Sequence, residues 1–158
     1  YSNLSDANFT SADVTYAGMG GVNLSGANLS GADFGQSSFV RATLNNATKL
    51  DSGTNLKYAD FSEADLTGVD FTDLDISNTK FTKAKFEDAN LSNSNLSYST
   101  LSSSNLTDAN LTSANLTQAD LSSAILTNAD LTDANLHFAN LNDANLSGAT
   151  WANTTCPD

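Results

Sequence analysis

The sequence predicts an all-β solenoid, and three observations predict it. Leu or Phe recurs at nearly every fifth position, through Leu4, Phe9, Val14, Met19 and Leu24 and onward to Leu146 and Trp151. Two residues before each of these stands Ala, Ser or Thr in almost every unit, so the repeat reads A-(N/D)-(L/F)-(S/T)-x. A helix repeats near 3.6 residues and a flat strand at about 2, so a sustained period of five fits neither and marks a stacked repeating unit.

Each position of the unit has a physical role. The large and the small residue are two apart, which in extended backbone points both to the same side, and that side is the interior. The Asn or Asp, the Ser or Thr and the variable residue face solvent or turn the chain. No single unit buries its apolar face alone, so stability comes from stacking coil on coil and joining backbone groups as a ladder. Burying one Leu or Phe side chain is worth roughly 1.5–3 kcal/mol, and a one-residue-wide column of them offsets the ordering entropy of a narrow rod.

Along the chain the register holds from Leu4 to Leu44, slips by two across residues 45–55, and resumes at Leu56. Holding the count through Ala47 and Thr48 would turn Lys49 inward, and an unpaired buried ammonium is costly. Leu50 is therefore expected inward, with Lys49, Asp51, Ser52 and Gly53 forming a bulge or short loop. That segment reads either as a protruding partner-binding loop or as a plain insertion. Gly18, Gly20 and Gly21 make a lesser irregularity; no helix follows them, so they form no phosphate loop. At the far end Trp151 fills a position usually held by Leu and Pro157 removes a ladder donor, a plug and a stop.

The pattern runs nearly end to end, so residues 1–158 are expected to form one domain. Six Lys and Arg stand against 18 Asp and Glu, a net charge of −12, which favours solubility and argues against direct nucleic-acid or anionic-membrane partners. No apolar run approaches the roughly 20 residues of a membrane-spanning helix. The chain starts at Tyr1 and is already in register at Leu4. This points to a processed start and to an exported protein, periplasmic, lumenal or secreted, with its leader removed.

The repeat resembles the pentapeptide repeat family over nearly the whole chain. The resemblance implies a right-handed quadrilateral parallel β-helix with four units per coil, about eight coils for 158 residues. Val14, Phe34, Leu56, Ile76, Leu96, Leu116 and Leu136 would then stack as one core column and Met19, Phe39, Phe61, Phe81, Leu101, Leu121 and Leu141 as the next. Phe dominates the first half and Leu the second. The tail from Ala152 to Asp158 is similar to that of exported bacterial members, in which further Cys residues follow. The similarity implies a disulfide mate for Cys156 beyond this sequence; the other reading of Cys156 is a small inward apolar residue.

Nothing in the sequence assembles catalytic chemistry, a cofactor site or a metal site. Catalysis needs convergent groups of unlike kind, and here one His and one Cys accompany carboxylates whose spacing follows the repeat. Asp70 with Asp73 and Asp130 with Asp133 make acidic pairs, yet Ca²⁺ takes six to eight oxygens in a pocket, so they read as a solvated face. His137 follows Leu136 at an outward position. The Asn-Leu-Ser and Asn-Leu-Thr sequons arise from the repeat itself.

One surface column stands out. Tyr16, Gln36, Tyr58, Asn78, Tyr98, Gln118, Phe138 and Asp158 succeed one another coil by coil, with aromatics at Tyr16, Tyr58, Tyr98 and Phe138, roughly 10 Å apart at strand spacing. Such a ladder either binds a partner or glycan or is a duplication remnant in which each ring covers its neighbours. The reading of function is a non-enzymatic structural or interaction module presenting regular faces to a protein partner or to itself. An uncapped β-helix end invites end-to-end or dimeric pairing. The first alternative, implied by the resemblance to acidic members of the family, is a DNA-mimic inhibitor of gyrase, a type II topoisomerase. Against it, the acids divide four, four, five and five among the faces, with Lys80, Lys83 and Lys85 interrupting one. The second alternative is ice or carbohydrate binding through hydroxyl rows such as Thr10, Ser30, Thr72, Ser92, Thr112 and Thr132.

Overall fold

The computed structural model describes residues 2–45 and 48–157. Its β contacts are isolated parallel bridges between residues one coil apart: Asn3 with Asn23, Asp13 with Asp33, Asn90 with Asn110, Asn135 with Thr155. Four five-residue units thus return the chain onto itself, and the molecule is a stacked repeat solenoid with four columns of side chains.

The unit from Asn95 to Ser99 shows why this sequence closes this way, because all five of its amides find acceptors. Asn95 N–H donates to Leu74 O of the coil before (2.9 Å), and Leu96 and Tyr98 N–H donate to Asn115 O and Thr117 O of the coil after (2.8 and 3.0 Å). Ser99 N–H closes a turn onto Leu96 O (3.1 Å). The remaining amide, Ser97 N–H, donates to the side-chain Oδ1 of Asn95 (3.1 Å). Asn or Asp before the large residue is therefore an Asx turn built into the corner, which accounts for backbone donors that would otherwise be orphaned. The residue two after the large one has φ near +60°, for example Tyr98 at 61°, as a turn with a left-handed third residue requires.

Inside, the small position is mostly Ala, with Val22, Val69 and Leu74 as larger exceptions, or a Ser or Thr whose hydroxyl donates to a backbone carbonyl, of the same coil at Ser94 and Ser104 and of the previous coil elsewhere. Ser37 reaches Val14 O (2.7 Å), Thr79 reaches Leu56 O (3.1 Å) and Ser99 reaches Ile76 O (3.1 Å), so these buried hydroxyls are satisfied. In the first half the column is a Phe stack: Phe39 and Phe61 lie parallel with centroids 4.5 Å apart, and Phe61 and Phe81 at 5.5 Å. Beyond Phe86 the same places are held by fully buried Leu, from Leu91 to Leu136. Leu4, Phe9 and Val14 at one end and Leu141, Leu146 and Trp151 at the other are half-buried against this core. Cys156 is exposed, one residue after the last bridge at Thr155.

Between Leu44 and Leu56 the bridges lengthen in two steps. Asn28 pairs with Lys49, one position beyond the regular spacing, and Asp33 pairs with Asn55, two positions beyond it. The two extra residues are thus taken up singly, in two successive units of six whose large residues are Leu44, Leu50 and Leu56. Leu50 is half-buried against the core and Lys49 is exposed; Ala47 lies outside the described residues, as do Tyr1 and Asp158. The segment Asp51–Ser52–Gly53 is an exposed tight turn. Asp51 Oδ1 accepts from Gly53 N–H (3.0 Å) and from Gly31 N–H of the coil before (2.9 Å), and Thr54 N–H returns to Asp51 O (2.9 Å). The insertion costs rungs nearby. Among the described residues no bridge joins Asn55 to Asp75, and Leu56 and Tyr58 N–H have no backbone acceptor. A Lys57–Asp75 ion pair (2.6 Å) crosses that gap instead.

Candidate functional site

The corners of the solenoid place one side chain each outward from a left-handed backbone. That conformation is uncommon for anything but Gly, Asn or Asp, and for bulky residues it is an outlier. Two of the other corner columns largely respect this. One runs Asp6, Gly26, Gly68, Asp88, Asp108, Asn128, Gly148; a second runs through Ser11, Gly31, Asp73, Asn93, Ser113 and Asp133. The third departs from it with charged and hydroxyl side chains, Arg41, Glu63, Lys83, Ser103 and Ser123 between Gly21 and Asp143.

The fourth column holds Tyr16, Gln36, Tyr58, Asn78, Tyr98, Gln118 and Phe138, with φ between 57° and 61°. Its four aromatic rings are 72, 60, 55 and 56 % exposed, so they project as a ridge and do not cover one another. Of the exposed large apolar side chains among the described residues, only Ile125 lies elsewhere. A left-handed conformation costs an L-residue roughly 1–2 kcal/mol, and here no burial repays it. Ring contacts agree with the separation: among the four, only Phe138 touches another ring, that of its neighbour His137 (4.0 Å between centroids). Gln36 Nε2 donates to Tyr16 Oη (2.9 Å), so the amide between two rings is in reach of both the ridge and solvent.

The ridge stays in phase through the insertion. Tyr16 and Tyr58 stand two positions further apart in the chain than Tyr58 and Tyr98, yet each step spans two coils because the Asp33–Asn55 bridge absorbs the difference. Beside Tyr58, Lys57 pairs with Asp75, and its ammonium is held above its ordinary pKa by that hydrogen bond and charge. Burial alone would push Asp75 up, but the bond and charge of Lys57 and the hydroxyl and amide of Ser77 outweigh it and hold the carboxylate low.

The remaining sequence-derived candidates are spent on the fold. Lys49 lies in the bridge to Asn28; Asp51, Ser52 and Gly53 form the tight turn, where Gly31 N–H and other donors hold the Asp51 carboxyl below its usual range. Hydroxyls of the proposed rows turn back onto their own Asn or Asp, as Thr10 to Asn8 Oδ1 (2.6 Å) and Thr72 to Asp70 Oδ1 (2.5 Å). The hydroxyl-to-hydroxyl contact between Thr72 and Ser92 is long, at 3.5 Å. Asp130 accepts from Thr132 and Thr150, which lowers its pKa, and Asp133 accepts from Asn153 (3.0 Å). Among the described residues no cluster of three or more His, Cys, Asp or Glu is placed to hold a metal ion, and no helix is long and apolar enough to cross a membrane. Sequence reasoning missed an open notch of about 310 Å³ lined by Gly20, Gly21, Val40 and Arg41. Its one signal was the pair of glycines, which leave a corner bare beside Arg41; that residue pairs with Glu63 (2.7 Å).

Comparison with known proteins adds three findings. The family described as pentapeptide repeats matches in eight copies, over residues 1–26, 17–48, 52–88, 75–112, 84–122 and 109–148. No curated protein matches the sequence. Among solved structures the chain is similar to HetL, a pentapeptide repeat protein involved in heterocyst differentiation regulation from the cyanobacterium Nostoc sp. strain PCC 7120. That match is 24 % identical, covers 97 % of this chain and 84 % of HetL, and has a TM-score of 0.55. Full-length QnrB1, a plasmid-mediated fluoroquinolone resistance protein, is 19 % identical over 99 % of this chain and 89 % of its own, with a TM-score of 0.43. The pentapeptide repeat protein alr5209 of Nostoc PCC 7120 is 37 % identical over 63 % and 74 %, with a TM-score of 0.28.

Proposed function

Since the chain belongs to the pentapeptide repeat family, we propose that it is a non-enzymatic binding module whose working surface is the aromatic ridge. In this reading the ridge is carried by a right-handed, four-sided coil of about eight turns. The observation behind it is confinement: among the described residues, four of the five exposed large apolar side chains share one corner column, at backbone positions that disfavour them. A partner lies along the rod and reads that column, while the stacked Leu and Phe hold it straight. Catalysis is not part of the reading, because a convex corner offers no concavity in which unlike groups converge.

Mimicry of duplex DNA has weaker support. All six cations fall between Arg41 and Lys85, and the acids beyond them are spread over several faces. Many acids are also engaged by their own turns, as Asp60 is by Ser62 N–H (3.0 Å) and Asp120 by Ser122 N–H (3.0 Å). Hydroxyl rows have weaker support because hydroxyls such as those of Thr10 and Thr72 are already bonded to their own Asn8 and Asp70.

Partner capture with a ridge variant tests the proposal. The full chain carrying Tyr58→Asn and Tyr98→Asn is compared with the unsubstituted chain in pull-downs from its native source, with circular dichroism to show equal folding. Captured material is lost with the ridge variant and kept with Asp88→Asn plus Asp108→Asn on the opposite corner. Equal capture by all three, or capture by none, overturns the reading.

A further inference from the structure

Resting on that reading of the ridge, we propose that its partner is an unbranched, uncharged β-1,4-linked polysaccharide lying parallel to the rod axis. Three properties of the ridge point to this class. The first is shape. A standard protein interface buries about 800 Å² on each partner, which requires a patch. Here the rings form a single file one residue wide, each separate from the next, and a single file suits a linear chain.

The second is period. Aromatic rings recur every second coil, about 10 Å apart at strand spacing. In a β-1,4-linked chain each sugar is turned over relative to the one before, so the same C–H face recurs every second sugar, and that two-sugar repeat has the length of two coils. One extended chain therefore presents an equivalent face to Tyr16, Tyr58, Tyr98 and Phe138 in succession. The two inserted residues, which would have put Tyr58 out of phase, are absorbed in coils whose bridges keep it in line. An α-1,4-linked chain coils and loses the phase.

The third is charge. On a chain of net charge −12, the ridge column from Tyr16 to Phe138 itself carries no ionisable acid or base other than the tyrosine hydroxyls; beside it Lys57 and Asp75 neutralise each other in an ion pair and His137 lies against Phe138. Phosphate and sulfate polymers are repelled by the rest of the rod, and a basic partner finds no acid in the column. Gln36, Asn78 and Gln118 stand between the rings, and an amide both donates and accepts, as does a sugar hydroxyl. Rings stack on the sugar faces while amides meet the hydroxyls at their edges.

The test uses the full chain with microcrystalline cellulose and chitin in depletion assays, and cellohexaose and chitohexaose by titration calorimetry, with amylose as the α-linked control. The unsubstituted chain is depleted by at least one β-1,4 glycan and not by amylose. Tyr58→Asn with Tyr98→Asn weakens binding by roughly tenfold, whereas Tyr58→Phe with Tyr98→Phe, which keeps the ring faces, retains most of it. No binding to either β-1,4 glycan, equal binding to amylose, or binding unchanged by the Asn pair overturns the proposal. If glycan binding is absent while ridge-dependent protein capture persists, the polysaccharide is wrong and the binding module stands; if capture is ridge-independent as well, both fall.

Discussion

The ridge corner and the corner two units away from it are the same turn repeated, and their side chains have opposite character. Tyr98 has φ 61° and Asp108 has φ 58°; beneath them Leu96 and Leu106 are both fully buried, and both corners close through an Asx bond, from Ser97 to Asn95 and from Thr107 to Asn105. One column takes the residues the left-handed backbone favours, Gly, Asp and Asn. The other, apart from Asn78, takes Tyr, Gln and Phe, which it does not. With backbone and interior equal, the folding requirement is equal too, so the difference belongs to what the outer surface does. A conformational outlier without compensation in the core is the kind of observation that supports a functional reading.

The strongest challenge to this comparison is an interior that differs between the corners. Leu96→Ala beneath the ridge and Leu106→Ala beneath the opposite corner each remove a fully buried side chain and are expected to destabilise the rod alike, by about 2–5 kcal/mol. Paired denaturant melts check this. A much larger loss at Leu96 would show that the ridge residues help to pack the column beneath them, and the argument from equal interiors would fail.

A smaller and reciprocal effect is expected from exchanging corner residues. Tyr98→Asn places a tolerant residue at φ 61° and should raise stability by about 1 kcal/mol, while Asn128→Tyr, at φ 58° on the opposite corner, should lower it by about 1 kcal/mol. The second substitution also gives up the Asn128 Nδ2 bond to Asp108 Oδ1 (3.0 Å). Thermal melts of the two variants sharpen the comparison if the signs are opposite. If Tyr98→Asn destabilises, the ring contributes to folding and its exposure is incidental.

Much of this was legible before the structure. The period of five gave the stacking, and the recurrence of aromatics at every eighth unit gave the ridge, because in a solenoid sequence spacing and spatial spacing are the same quantity. Where the count broke, so did legibility. A slip of two between Leu44 and Leu56 does not say whether the extra residues sit together at Asp51–Ser52–Gly53 or apart, and only the successive bridges Asn28–Lys49 and Asp33–Asn55 separate them. The Lys57–Asp75 pair joins residues on successive coils next to that break, so its register could not be counted across. Nor could the left-handed backbone at Tyr16, Tyr58 and Tyr98 be read from residue type, because tyrosine does not signal it as Gly or Asn would.

The smallest expected effect comes from acid. Asp13, Asp75 and Asp130 are held below the ordinary aspartate value, and Glu63 below that of glutamate, by hydrogen bonds and nearby cations. A carboxylate whose folded pKa is depressed binds protons more weakly in the folded than in the unfolded chain. Its contribution is therefore complete above the unfolded value, about 3.9 for Asp and about 4.3 for Glu, and is lost as pH falls through the folded value. Stability should be flat between about pH 7 and 5 and decline below about pH 4. Lys57→Met removes the cation paired with Asp75 at the ridge and leaves Asp130, held by Thr132 and Thr150, untouched. The Lys57–Asp75 pair is half-exposed and screened by solvent, so stability at neutral pH should barely change. The titration midpoint of the Asp75 carboxyl in the variant should move to higher pH, because Asp75 then keeps burial's upward push and loses the ion pair. Titration of the Asp75 carboxyl by NMR reads this directly, and an unmoved Asp75 would mean that the ion pair does not hold the ridge face across the missing backbone rungs at Leu56 and Tyr58.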